Sequence, residues 1–294
     1  MQAGRRTGAH LAAAANSRRA WHGPWPAALF PLSLSSVQKY PRGSGGLAPR
    51  LQHQMPAPAS KRIAALDIAR TAALAGMFAF HFRYDLVMFG LLPPEVTGSF
   101  LFYWHARLVA GSFLFLAGLS LWLGHGHAIR WPAFWHREIK LVSAAALVSA
   151  GTFLALPESW VFFGILHAIA LCSLLALPFL RSPAPLTLAV GLAFMAASFY
   201  LPDWAQWNHP ALRWIGLQTQ PTLTVDLEPL FPWFGPFLLG LGTGRLLGTF
   251  WPRLQPPQTR LSGALAWPGQ HSLAIYLIHQ PVLLGLIWTY LQLR

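Results

Sequence analysis

The stretch 62–90, RIAALDIARTAALAGMFAFHFRYDLVMFG, carries more ionisable groups than an apolar run of its length usually holds. Asp67, Arg70 and His81 lie within it, and Arg83 and Asp85 follow at once. Wound as an α-helix at about 100° per residue with Asp67 at zero, it places Arg70 near −60°, His81 near −40° and Asp85 near 0°. The polar groups share one narrow stripe. Charge at membrane depth is costly, so such a stripe faces a protein interior or a wet cavity. Arg70 and His81 are about 16 Å apart along the axis, too far to belong to one triad. Asp67 and Arg70 can pair at i,i+3, and His81 needs partners from other helices.

Imidazole exchanges protons near neutral pH, which makes His81 a candidate general base or acyl-accepting nucleophile. The alternative is a histidine hydrogen-bonded between helices. Asp67 and Arg70 read either as a site for an anionic donor, such as the phosphates of a coenzyme, or as an ion pair locking one helix to its neighbours. His167 is the polar group of FGILHAIA. His105 and Arg107 point about 200° apart on a helix and cannot share a site; Arg107 is expected to be the deeper and to meet an anion. In GQHSLAIYLIHQPVLLGLIW, Ser272, Tyr276 and His279 recur at i, i+4, i+7 with Gln280 at the edge of their face. Pro281 frees a backbone carbonyl one turn back, near Leu277.

The candidate catalytic residues are therefore His81 and His279. The candidate substrate-binding residues are Asp67, Arg70, Arg107, His167, Tyr276 and Gln280. There is no phosphate-binding Walker loop, zinc-ligand spacing, nucleophile elbow or dinucleotide fingerprint. His125 and His127, even with His136 nearby, are too few for a metal site, and none is expected.

The elements that must carry these groups are membrane helices. Of 294 residues 54% are hydrophobic and only 10% charged, and mean hydropathy is +0.43, whereas soluble domains carry about 25% charged residues. The pattern predicts an all-α polytopic bundle of about seven spans, near 62–82 (running on to about Gly90), 99–123, 139–156, 160–180, 185–201, 229–250 and 269–291. Loop 251–268, with four prolines, is expected to be irregular. Trp204, Trp207 and Trp214 in loop 202–227 suit an interface. Cys172 sits in an apolar run and reads as core.

The net charge of +13 follows topology, not nucleic acid, which is not an expected partner. Lys61, Arg62, Arg130, Arg137, Lys140, Arg181, Arg245, Arg253 and Arg260 fall on one side. Asp85, Glu95, Glu158, Asp203, Asp226 and Glu228, with only Arg83 and Arg213, fall on the other. By the positive-inside rule the N-terminus is cytoplasmic and the C-terminus outside. Depth along the spans then predicts one outward cavity lined by His81, Arg107 and His167. Asp67 and Arg70 line a cytoplasmic one, with His279 between. Residues 1–60 contain no acidic residue. They read as an organellar transit segment, or as a leader ahead of a true start at Met55, and are expected to be disordered. The transmembrane domain is then 61–294.

Four pieces, RIAALDIARTAALAGMFAFHFRYDL, ARLVAGSFLFLAGLSL, FGILHAIAL and DLEPLFPWFGPFLLGL, resemble the bacterial relatives of heparan-α-glucosaminide N-acetyltransferase, within the broader membrane acyltransferases. GQHSLAIYLIHQPVL recurs in proteins of that broader type, and the resemblance covers about residues 61–292. It implies an acyltransferase of the bacterial inner membrane. An acyl group, in the first place acetyl, would pass from cytoplasmic acyl-CoA to a sugar or amino-sugar acceptor on the far side. Membrane lipid and a glycan are the implied partners, and a homo-oligomer stays open. One departure stands out: the resemblance places an active histidine in the loop between the first two spans, and loop 91–98 has none. His81 is its substitute. The alternative class is a transporter or flippase, which polar groups within spans also suit, although no repeated halves are visible.

Overall fold

The computed structural model of the chain describes residues 63–201, 205–248, 250, 255–257 and 259–293. The leader 1–60, Asp203, Trp204 and Arg253 lie outside the described residues. Eight α-helices make up the described fold: α1 (Ala64–Met88), α2 (Phe100–His125), α3 (Trp131–Ala155), α4 (Ile165–Leu175), α5 (Ala184–Tyr200), α6 (Leu230–Leu246), α7 (Arg260–Gln270) and α8 (Ser272–Leu293). Among the described residues α2, α3 and α8 are long and apolar enough to cross a membrane. The fold is all-helical, as the apolar periodicity implied.

Local chemistry sets the helix ends. After Gly90 the run Pro93–Pro94 cannot continue a helix, and the Ser99 hydroxyl caps α2 by accepting from the Phe102 N–H at 3.3 Å. Pro132 sits in the first turn of α3, where its missing N–H costs nothing, so α3 begins at Trp131 and not at 139. The expected span 160–180 is regular α-helix only over Ile165–Leu175, about 16 Å long. Its first residues run extended instead: the Val225 and Glu228 N–H groups donate to the Ser159 and Phe163 carbonyls at 2.9 and 3.1 Å.

Residues 260–268, expected to be irregular, are helical. Thr259 and Ser262 form a reciprocal capping box: the Ser262 N–H donates to Thr259 Oγ1 at 3.1 Å, and the Thr259 N–H to Ser262 Oγ at 2.9 Å. α7 then lies against α1. The Thr71 hydroxyl donates to the Leu265 carbonyl (2.7 Å) and accepts from the Gly269 N–H (2.9 Å). A Cβ at Gly269 would sit 1.8 Å from the Asp67 carbonyl oxygen.

The core lies where α2, α3, α4 and α6 meet, around Leu114, Leu121, Phe134, Cys172, Phe237, Leu238 and Leu241. α2 and α6 touch backbone to backbone. A Cβ at Gly118 would stand 1.9 Å from the Phe237 carbonyl oxygen, and one at Gly240 would stand 1.9 Å from that of Phe115. Small residues of this kind let membrane helices approach closely enough for dispersion to hold them.

This contact predicts opposite signs for one substitution. Gly→Ala in an open helix position stabilises by about 0.5–1 kcal/mol through propensity. Gly151 and Gly263 meet nothing within 4 Å, so Gly151→Ala and Gly263→Ala should raise the melting temperature of detergent-solubilised protein. Gly118→Ala and Gly240→Ala should lower it, with a destabilisation of about 1–3 kcal/mol from overpacking. A gain at Gly118 or Gly240 would contradict the close crossing.

Candidate functional site

The polar stripe of α1 is held at both ends by other helices. At the N-terminal end, Arg70 Nη1 pairs with Asp67 Oδ1 at 2.8 Å, and Nη2 donates to Ser120 Oγ on α2 at 2.7 Å. The i,i+3 pairing read from the sequence is formed. Arg137 on α3, absent from the sequence-based candidates, lies close enough for its charge to feel that of Arg70. It donates to Ser173 Oγ on α4 at 3.0 Å and pairs with Glu138 at 3.5 Å. Two guanidinium groups of like charge are thus held near one another, each beside a buried carboxylate. Their side chains keep 28% and 32% of their exposure, so neither is sealed from an incoming group.

At the C-terminal end, the His81 ring packs edge-on against the His279 ring of α8, with centroids 4.8 Å apart. Asp85, one turn beyond His81 and fully buried, accepts from Gln280 Nε2 at 2.7 Å. Phe78 closes over His279 at 5.4 Å. The α1–α8 seam therefore joins His81, Asp85, His279 and Gln280. The structure pairs the two candidate catalytic histidines, which the sequence had placed at different depths.

Hydrogen bonding decides what each histidine can do. His279 Nδ1 bonds the Tyr276 carbonyl. A carbonyl oxygen only accepts, so Nδ1 carries the proton and neutral Nε2 presents a lone pair. Nε2 is buried without a hydrogen-bond partner among the described residues. His167 is the opposite case. Its Nδ1 accepts from the Gly164 N–H at 3.2 Å, which leaves the proton on Nε2, 3.2 Å from Ser149 Oγ. Ser149 in turn donates to the Val161 carbonyl at 2.7 Å. Both ring nitrogens of His167 are used in fixing the turn into α4, and its ring faces Phe163.

His167, Asp226 and Tyr276 line one closely packed crevice too tight to hold a water. The expected grouping of His81, Arg107 and His167 is thus replaced by two others: His81 with His279, and His167 with Tyr276 and Asp226. Tyr276 belongs to both, through its carbonyl to His279 and its ring in the crevice. The depth expected of Arg107 is corrected. Arg107 is exposed, with its guanidinium 3.3 Å above the Tyr103 ring. His105, on the other side of α2, is the half-buried one and bonds the Gly76 carbonyl at 3.0 Å. Stacking on an aromatic face lets an arginine cover apolar surface while its charge stays accessible. The HGH loop is also used locally, since His125 Nδ1 accepts from the Arg130 N–H at 3.2 Å.

Asp226 lines this crevice and Glu228 follows two residues on; neither is among the sequence-based candidates. Asp226 Oδ2 accepts from the Ile165 N–H, at the N-terminus of α4, at 3.2 Å. The segment that carries both is bridged to Phe163 by Leu227. So DLEPL and FGILH, far apart in the chain, are neighbours in the fold.

A sequence model of the family described as heparan-alpha-glucosaminide N-acetyltransferase, catalytic, matches residues 62–281. The chain belongs to that family. The match spans α1 through the first half of α8 and so includes His81, Asp85, His279 and Gln280. No curated protein and no solved structure matches the chain. Membership of the heparan-alpha-glucosaminide N-acetyltransferase family, together with helices able to span a bilayer, gives a membrane protein with an acetyltransferase-type function.

The acidic pair predicts a pH dependence. Burial pushes both carboxyls up. The Asp226 charge raises Glu228 further, against an opposing pull from Arg107. A carboxyl held above its ordinary range keeps a proton in the folded chain that the unfolded chain has released. Its contribution to stability is therefore complete below the ordinary carboxylate range and is lost as the pH rises through the raised values. Glu228→Gln mimics the protonated form, so it should raise the melting temperature at pH 8 and change it little at pH 4. A larger gain at pH 4 than at pH 8 would contradict the repulsion.

Proposed function

We infer that the chain is an integral-membrane acyltransferase that moves an acetyl group from acetyl-CoA, entering at the Arg70–Arg137 end, to an amino-sugar acceptor held at the His81–His279 seam. The observation that carries this reading is the His279 imidazole. Its Nδ1 proton is committed to a backbone carbonyl, and its Nε2 lone pair is buried and unspent. A general base needs that state.

The step balances simply. The acceptor nitrogen or oxygen bonds to the thioester carbonyl carbon while its proton passes to His279 Nε2. The carbon–sulfur bond then breaks, and the departing thiolate takes the proton back. His81, packed edge-on against His279, fixes the plane of that ring. The two guanidinium groups suit the phosphates of a coenzyme, since arginine binds phosphate oxygens in pairs. Seven crossings with a cytoplasmic N-terminus, in a bacterial inner membrane, complete the reading. The basic residues at the Arg70–Arg137 end support that side for the donor.

The test is single-turnover transfer from labelled acetyl-CoA to D-glucosamine by the full chain in lipid nanodiscs. His279→Ala should slow transfer by about 10²–10⁴-fold with acetyl-CoA affinity unchanged. Arg137→Ala should weaken acetyl-CoA binding and leave transfer at saturating donor near wild type. Wild-type transfer by a folded His279→Ala variant would remove the imidazole from the reaction. Solute uptake into vesicles without any coenzyme requirement would favour a transporter.

A further inference from the structure

Asp85 is buried beyond what a structural carboxylate needs. It is fully enclosed in the last turn of α1, and no ion pair among the described residues reaches it. Oδ1 accepts from Gln280, and Oδ2 has no hydrogen-bond partner among the described residues. The carboxylate also sets the Gln280 amide: Nε2 must face it, because the reverse orientation would set two acceptors against each other. Gln280 Oε1 is then a second buried acceptor without a partner among the described residues. His279 Nε2, on the preceding residue, is a third.

Three buried acceptors without partners among the described residues share one seam between α1 and α8, beside the His81 ring. Burying polar atoms without partners is costly. The three acceptors fit a group rich in N–H and O–H bonds.

We propose that Asp85 and Gln280 are the acceptor-binding residues, which hold the amine and hydroxyl groups of the acceptor by their N–H and O–H bonds and aim the reacting one at His279 Nε2. Only the aiming rests on the acyltransferase reading; the binding does not. Asp85→Asn keeps the volume but turns an acceptor face into a donor, and Gln280→Met removes the amide oxygen while preserving length.

The experiment is calorimetric titration of the full chain in lipid nanodiscs with D-glucosamine as the probe, without coenzyme, beside a titration with acetyl-CoA. The wild-type chain should bind D-glucosamine. Asp85→Asn should bind it about tenfold or more weakly, the effect of losing a hydrogen bond to a charged group, with acetyl-CoA affinity unchanged. Gln280→Met should show the same pattern, and it decides the matter if Asp85→Asn does not fold. Unaltered D-glucosamine affinity in a folded variant, no binding by the wild-type chain, or equal loss of both ligands would each overturn the proposal. A wild-type chain that binds D-glucosamine but transfers no acetyl group would contradict the acyltransferase reading and leave the subsite standing.

Discussion

The structure depends on keeping one charged stripe of α1 inside protein. A carboxylate moved from water to an apolar interior loses several kcal/mol even after relaxation. Asp67 and Asp85 are both buried, at 4% and 0% exposure. Each side of α1 is therefore covered by a helix that brings a polar answer. α2 brings Ser120 to Arg70, α7 presses Gly269 against the Asp67 backbone, and α8 brings Gln280 to Asp85. The close α2–α6 crossing at Gly118 and Gly240 belongs to the same arrangement, since it fixes the helix that carries Ser120. A looser crossing would shift a short guanidinium–hydroxyl bond inside the bundle.

Covering is not the same as satisfying. At the Arg70 end most polar atoms of the stripe find partners, and the geometry is that of an ion pair braced by a hydroxyl. At the Asp85 end three buried acceptors are without partners among the described residues. A folded chain keeps such an imbalance where a ligand completes it. The two ends thus divide the labour in the proposed reaction: one offers positive charge with part of its surface open, the other a lone pair and hydrogen-bond acceptors enclosed in apolar walls. Tyr276 ties the second end to the loop that carries Asp226 and Glu228, through its carbonyl on one side and its ring on the other.

The sequence made part of this legible. The all-helical class, the stripe on α1, the Asp67–Arg70 pair and the shared face of Tyr276 and His279 all follow from periodicity, because helical spacing sets which residues lie together. What periodicity cannot show is which helix a face meets. Depth counted along each span sets His81 and His279 apart, whereas their rings meet across the α1–α8 seam, a contact that spacing within one helix does not encode. His167 and His279 look alike in sequence, each a lone histidine in an apolar helix. Only their hydrogen bonds separate a ring with both nitrogens spent from one with a lone pair to use. Arg107 differs from the expectation in depth alone: it is exposed, because its guanidinium stacks on the Tyr103 ring on the outer side of α2. α7 was hidden by Pro256 and Pro257 before it and Pro268 within it, although the Thr259–Ser262 spacing of a capping box was there to be read. Asp85 lay on the stripe in plain view, and its importance emerged only with its burial and with Gln280 opposite.

The central claim is that the His81–His279 contact works as one unit in acyl transfer. A double-mutant cycle tests it most directly: single-turnover transfer rates for the wild-type chain, His81→Ala, His279→Ala and the double variant, at saturating acetyl-CoA. Residues that act together give non-additive losses. The account predicts that the double variant is about as slow as the slower single variant. Losses that multiply, so that the two histidines contribute independently, would contradict it.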